Sequence, residues 1–349
     1  MNTADTTRID DDHPIIFSVL VSRLIYPNAQ VPWHANAVLL APVEDFRVPL
    51  AANSLVHFPF NAPLLLTGKY TLDTVTVQEI LRLKPAGRGL PAQVFLVGEL
   101  APWIELQVKQ LGYTTLRIGA GSPYQVAADI VRFGGSVIME KKCDFTPVMV
   151  VSGENCREAL PVAAYAAHSG TPVLYVTRQG LPAATARVLK ELTAPVVYIV
   201  GSPQTVSENT AQQLEQLTGR KAARIGGQSP YEVAVNFAGF KDQITGFGWG
   251  RVAPGKGDAF SFVSVCLWQH AAAGGILGHL GKHAPVLIVE PHKLPVVVKD
   301  YILSLNPVRH EPDPPFMHGY VLGTEHAVSS RTQLELEEAL MQRVIGHGS

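Results

Sequence analysis

The stretch Pro147-VMVVSGENCREALPVAAYAAHSGTPVLYVTRQGLPAATARVLKELTAPVVYIVGSPQTVSENTAQQLEQLTGRKAARIGGQSPYEVAVNFAG-Phe240 decides the fold. Its apolar runs at 148–151, 172–176, 195–200 and 222–225 are short and rich in Val, Ile and Tyr. Segments of helical period lie at 155–168, 181–192, 206–217 and 230–238. Strands alternating with helices of this length imply crossover connections and a parallel sheet covered on both faces. The stretch reads as one complete α/β unit.

Working outward, the same unit returns on both sides. RIGAGSPYQVA at 117–127 recurs as RIGGQSPYEVA at 224–234. NAPLLLT at 61–67 recurs as GTPVLYVT at 170–177 and HAPVLIVE at 283–290, and FLVGE at 95–99 as YIVGS at 198–202 and YVLGT at 320–324. Val206-Ser207 is matched by Val328-Ser329. Ordered repetition of this kind marks a tandem array. We place an N-terminal arm at 1–36, modules at 37–140 and 147–245, a Gly-rich linker at 246–258, and a third module at 259–343. The third lacks a closing R-I-G-G-x-S-P-Y and is read as truncated at its C-terminus.

With these motifs in order the chain resembles the cell-wall-binding repeat type 2 family. SGENCREAL (152–160), PVLY (172–175), Leu181-Pro182, VYIVGS (197–202), Val206-Ser207 and RIGGQSPYEVA (224–234) follow the family pattern. Cys156 stands where the family has Phe, and Pro123 and Pro230 where it has Arg. The resemblance implies three flavodoxin- or Rossmann-like parallel-sheet modules about a pseudo-threefold axis. It further implies an anionic cell-wall glycopolymer as partner, with the P-x-L strands associated with polymer binding.

Composition sets limits. In 349 residues, 47% apolar content against 16% charged content fits strands buried on both faces. A net charge of −1 excludes a general binder of nucleic acid or anionic membrane. Cys143, Cys156 and Cys266 have no paired spacing, so neither a disulfide framework nor a Cys-based metal site is expected.

The first thirteen residues are polar, acidic and read as flexible. The run IIFSVLVSRLIY (15–26) is too short to span a membrane and is preceded by aspartates, so no signal peptide or transmembrane helix is read. That places the chain in the cytoplasm, with the cell surface as the alternative implied by the family. Residues 15–21 are expected as a strand that fills the sheet position missing from the third module. KPAGRGLPA (84–92) reads as a surface loop. Gly250-RVAP-Gly255-Lys256-Gly257 has phosphate-loop spacing, but Gly257 stands where Ser or Thr must hold magnesium. A flexible linker is the better reading. His279 and His283 have an i, i+4 spacing that puts both imidazoles on one helix face, yet no carboxylate lies close in sequence, so no metal site is expected. The glycines of AAAGGILGHLG (271–281) read as close helix packing.

In open parallel sheets ligands sit beyond the carboxyl ends of the strands. The candidate ligand residues there are Ser152, Gly153, Glu154, Asn155 and Gly201, together with Arg224, Ser229 and Tyr231 and their first-module counterparts Arg117, Ser122 and Tyr124. Glycines let a ligand approach the backbone, helix starts attract anions, and Arg with Tyr adds a guanidinium fork and an aromatic face. The competing reading is structural: Ser229-Pro230 is a good helix cap and Tyr231 a packing residue. No nucleophile elbow, Cys–His motif or repeated carboxylate pair is present, so no catalytic residue and no cofactor is expected. A non-catalytic binding protein is the leading reading, with a cytoplasmic protein that holds a small anionic or nucleotide ligand, with or without enzymatic activity, as the alternative. Either reading is compatible with an oligomer.

Overall fold

The computed structural model describes residues 2–28, 34–137, 145–252, 259–280, 283–305 and 317–341. The chain opens with β1 (Thr6–Ile9) and α1 (Pro14–Ile25), followed by β2 (Val38–Pro42), α2 (Arg47–Ala52), β3 (Leu64–Thr67), α3 (Thr74–Leu83), β4 (Val94–Val97), α4 (Pro102–Gln110), β5 (Thr115–Ile118) and α5 (Pro123–Val137). The middle holds β6 (Thr146–Ser152), α6 (Val162–Ser169), β7 (Val173–Val176), α7 (Ala183–Glu191), β8 (Pro195–Val200), α8 (Glu208–Thr218), β9 (Ala223–Ile225) and α9 (Pro230–Gly239). Last come β10 (Ala259–Ser264), α10 (Trp268–Gly274), β11 (Val286–Val289), α11 (Val296–Ser304), β12 (His318–Leu322) and α12 (Ser330–Leu340).

These strands form three four-stranded sheets, β3-β2-β4-β5, β7-β6-β8-β9 and β11-β10-β12-β1, with parallel pairing throughout. The α/β class read from the sequence is the observed one. Val148, Met149, Val150 and Val151 are all buried, as a strand covered on both faces requires. One boundary differs. The helix expected from 155 begins at Val162, and residues 155–161 are turns in which Ser152 and Asn155 side chains accept backbone N–H groups. Ser and Asn divert the backbone in this way because their oxygens compete with helical hydrogen bonding. The linker reading for 253–258, including Lys256, lies outside the described residues.

The N-terminus overturns two expectations. Residues 15–21 are not a strand; they lie within α1, which Pro14 starts at its first turn. The closing strand is Thr6–Ile9, in the segment read as flexible, and it pairs with β12 from Thr6–Gly319 to Ile9–Leu322. The run is apolar on most of its faces because α1 packs against α10, β3 and α3 at once. Aligned by function, Arg8-Ile9-Asp10-Asp11-Asp12-His13-Pro14 is the counterpart of Arg117–Pro123 and of Arg224–Pro230. The third sheet is therefore completed by the start of the chain.

Arg8 is buried and bonded at all three of its side-chain nitrogens. Its Nη1 donates to Gly323 O at 2.7 Å, Nη2 to Val328 O at 2.8 Å, and Nε to Gln333 Oε1 at 3.0 Å. Asp12 accepts the Thr324 backbone N–H at 2.8 Å, and Glu337 accepts that of Asp5 at 3.0 Å.

Contacts between sheets form a cycle. Helix α5 packs on β7, α9 on β11, and α1 on β3. Inside the cycle α2, α6 and α10 meet, with the short helical turns Asn53–Leu55 and Gly275–Gly278 wedged against α6. The approach is so close that a Cβ on Gly275 would lie 2.1 Å from Asn53 Oδ1, and one on Gly278 2.3 Å from Ala164 O. Close packing, as expected, is what those glycines permit. Asn53 donates across the gap to Ala272 O at 3.0 Å.

Arg8→Ala would leave Gly323 O, Val328 O and Gln333 without their charged donor. Such bonds contribute about 1.5–3 kcal/mol each when net effects are counted. We expect a loss of roughly 3 kcal/mol of unfolding free energy, read as a lower denaturant midpoint. An unchanged midpoint would mean that β1 does not seal the third sheet.

Candidate functional site

The loops beyond the strand carboxyl ends are organised first by their own hydrogen bonds. Ser152 Oγ accepts from Glu154 N at 3.1 Å and Asn155 N at 3.2 Å, and Asn155 Oδ1 accepts from Arg157 N at 3.0 Å. Glu154 accepts the Arg178 N–H at 2.6 Å, as Glu44 accepts that of Lys69 at 2.8 Å in the first sheet's loop. Gly201 holds a φ of 146°, where a side chain would meet Thr205 and Glu158. Ser229 caps α9 by accepting from Glu232 N at 3.2 Å, and Ser122 Oγ accepts from Gln125 N at 3.3 Å at the start of α5.

Arg117 and Arg224 turn back into their own sheets. Arg117 donates to Leu100 O at 2.7 Å and pairs with Glu105 at 2.6 Å. Arg224 donates to Gly201 O at 3.1 Å and lies 3.1 Å from Glu208. The bond from Arg224 to Gly201 O has its counterpart in the buried bond from Arg8 to Gly323 O. These arginines hold a strand to the loop beside it.

The tyrosines behave differently. Tyr124, on the second residue of α5, lies across the junction against Gly153 of the next sheet, where a Cβ would come within 2.7 Å of its ring. Its partner is Arg47, whose guanidinium carbon is 5.2 Å from the ring centroid and whose Nη1 reaches Gly153 O at 3.4 Å. Asp45 orients Arg47 through contacts of 2.9 and 2.6 Å. Burial works to raise the Asp45 carboxyl, but these bonds outweigh it and hold it below the usual carboxylate range, while keeping Arg47 charged.

Tyr231 occupies the matching position on α9 and faces the third sheet. Burial, then the charge and hydrogen bond of Glu290, raise its hydroxyl, and the charge of Arg157 opposes them. Arg157 is exposed. Sequence reasoning assigned Tyr124 and Tyr231 to Arg117 and Arg224; the structure joins Tyr124 to Arg47 and Tyr231 to Glu290. The signal was available, because E-D-F-R (44–47) and E-N-C-R (154–157) put an arginine at the same place in two repeats. At the third junction the corresponding residues are Ile15 and Gln269, so no such pair forms there.

At the opposite, amino ends of the strands, four histidines from three sheets' connections meet. His168 Nδ1 is 3.1 Å from His283 Nδ1 and from Gly278 O, and its ring stacks on Trp249 at 4.7 Å. The His57 and His279 rings lie 4.8 Å apart, and His279 Nε2 is 3.1 Å from Asn61 Oδ1. His279 and His283 do not share a helix face, because the helical turn ends at Gly278. Among the described residues no group of three His, Cys, Asp or Glu is arranged to hold a metal. Cys156 and Cys266 are free thiols, and burial raises that of Cys156. Cys143 lies outside the described residues.

Comparison with known proteins bears on this arrangement. A family model described as Cell wall binding domain 2 (CWB2) matches residues 117–211. N-acetylmuramoyl-L-alanine amidase LytC of Bacillus subtilis (strain 168) is 27% identical over 222 residues, which is 63% of this chain and 40% of that protein. Amidase enhancer of the same organism is 27% identical over 205 residues, 58% of this chain and 25% of that protein. The chain thus spans less than half the length of either relative. Among solved structures, Cwp8 from Clostridium difficile superposes with a TM-score of 0.72 at 19% identity, over 97% of this chain and 52% of that one. Cwp6 from the same organism gives 0.73 at 16% identity, over 98% and 48%. No helix among the described residues is long and apolar enough to cross a membrane.

The histidine junction makes stability pH-dependent. Burial first, and neighbouring imidazoles second, push His168 down to about 4; burial, then His57, His168 and His283, do the same to His279. Arg251 adds to the effect at His168, where Gly278 O opposes it. Unfolded imidazoles titrate near 6.5, so below that pH the unfolded chain binds protons that the folded one refuses. The stability present above pH 6.5 is lost as pH falls toward 4. The thermal midpoint of the native chain should therefore drop more steeply over this window than that of a His168→Asn, His279→Asn variant. Parallel slopes would show that these rings are not kept neutral by the fold.

Proposed function

We infer that this chain, a member of the cell wall binding domain 2 family, is a wall-binding protein without chemistry of its own. Its ligand is an anionic cell-wall glycopolymer, held on the face formed by the carboxyl ends of the strands, and its place is the cell surface. The observation that carries this reading is the Arg47–Tyr124 pair at the first junction, with the exposed Arg157 at the equivalent place beyond the next sheet. A polymer offers an acidic group at regular intervals, and arginines at equivalent places beyond successive sheets suit it better than they suit one small anion. Arrangement of the modules about a pseudo-threefold axis would set those positions at fixed spacing. The amidase activity in the name of the Bacillus relative belongs to a protein of which this chain covers 40%. The Cell wall binding domain 2 match over residues 117–211 supports wall attachment instead.

Sedimentation with washed cell walls tests the proposal. The purified chain should pellet with walls and be released by high salt, because exposed charge pairs are screened. Salt is the better eluent, since acid would also load the histidine junction. Arg157→Glu, at an exposed position, should keep the fold and weaken wall binding by about tenfold or more. Protein left in the supernatant, or a variant that binds as the parent does, would overturn the reading.

A further inference from the structure

A cleft of about 770 Å³ lies at the carboxyl end of the first sheet, lined by Lys69, Tyr70, Glu99, Trp103 and the backbone of Gly98 and Gly119. Tyr70 and Trp103 stack there with ring centroids 6.4 Å apart and an interplanar angle of 27°. They are 62% and 50% exposed, so large apolar faces are left in water. The Trp103 indole N–H donates to Tyr70 O at 2.8 Å. That bond fixes the ring and uses its polar edge, which leaves the face as what it can offer a ligand.

The charges around the platform are already balanced. Lys69 lies 3.5 Å from Glu99 and 5.7 Å from the Tyr70 ring centroid, and Arg117 is paired with Glu105. A cleft with no spare positive charge does not select an anion. It combines an apolar aromatic face with an ammonium and a carboxylate at its rim, groups that donate to and accept from hydroxyls.

The platform is also local to one repeat. The positions corresponding to Tyr70 are Gln179 and His292, and those corresponding to Trp103, counted from the helix start, are Asn209 and Arg331. Packing of the fold therefore does not demand aromatics there.

We propose that Tyr70 and Trp103 form a sugar platform, on which an uncharged pyranose ring lies with its C–H face against the aromatics while Lys69 and Glu99 bond its hydroxyls. This deepens the wall-polymer reading and rests on it: the exposed Arg157 takes an acidic group of a glycopolymer, and the cleft takes a neutral sugar residue of the same chain.

The test is a titration of the full chain, 15N-labelled at tryptophan, with tetrasaccharides of glucose, mannose and N-acetylglucosamine. Trp103→Phe identifies the indole signal. At least one sugar should move that signal saturably, and Tyr70→Ala should weaken the binding by roughly tenfold. Inorganic phosphate should leave the signal in place. Sedimentation with walls separates this idea from the broader one. A Trp103 signal that no sugar moves, in a chain that still pellets with walls, overturns the platform alone. A saturable sugar response in a chain that does not pellet upholds the platform and removes the polymer reading. A signal that phosphate moves and no sugar moves makes the cleft an anion site, against the proposal.

Discussion

The arrangement depends on one parallel pairing, that of Thr6–Ile9 with Gly319–Leu322. Without β1 the third sheet would keep three strands, and the edge position that β5 and β9 fill in the other two sheets would be empty. Pairing the first strand of the chain with the last ties the two ends together and brings α1 onto the first sheet. Arg8 makes this closure specific. A buried guanidinium is costly unless its donors are met, and here two carbonyls and the Gln333 amide meet them. The short acidic run before α1 takes part as well, with Asp12 holding the Thr324 loop.

This closure reveals the phase of the repeat. Counted from its Arg-Ile strand, each repeat starts in the preceding repeat's sheet and supplies the first three strands of the next. The copies begin at Arg8, Arg117 and Arg224, and the family match over 117–211 begins at the same point. In this phase the third repeat lacks no part; its apparent truncation comes from starting the count at the wrong strand. Residues 6–14 are inconspicuous because Asp10, Asp11 and Asp12 stand where RIGAG and RIGGQ carry their glycines. The following run was misread for another reason. A twelve-residue segment apolar on nearly every side has no period to separate helix from strand. The decision lay in Pro14, which starts a helix readily and cannot donate within a central strand.

The alternation of strands and helices was legible elsewhere because burial on both faces requires unbroken Val, Ile and Leu runs. The histidine junction was not. His57, His168 and His279 lie in different repeats, far apart in sequence, and only the crossing of α2, α6 and α10 brings them together. Gly275 and Gly278 hinted at that crossing, yet a glycine pair signals closeness without naming its partner. The Arg–Tyr pair was half legible. Tyr124 was visible, but its arginine, Arg47, came from another loop of the same module rather than from the nearest arginine in sequence.

That error carries a lesson about repeats. Arg117 and Arg224 were attractive as ligand residues because they recur, and the structure explains the recurrence by the fold: every copy needs a guanidinium to hold its Arg-Ile strand to the neighbouring loop. The same holds for Ser122 and Ser229 as helix caps and for Gly201 and Gly323 at strand ends. A residue that each copy must keep in order to fold is a weak marker of binding. Positions at which the copies differ while the backbone is the same carry no such obligation. Tyr70 against Gln179 and His292 is one, and Trp103 against Asn209 and Arg331 another. Both sites lie beyond the carboxyl ends of the strands, where the sheet topology leaves room for a ligand. In an array built from near-copies, divergence on that face is the more informative signal, because nothing in the packing accounts for it.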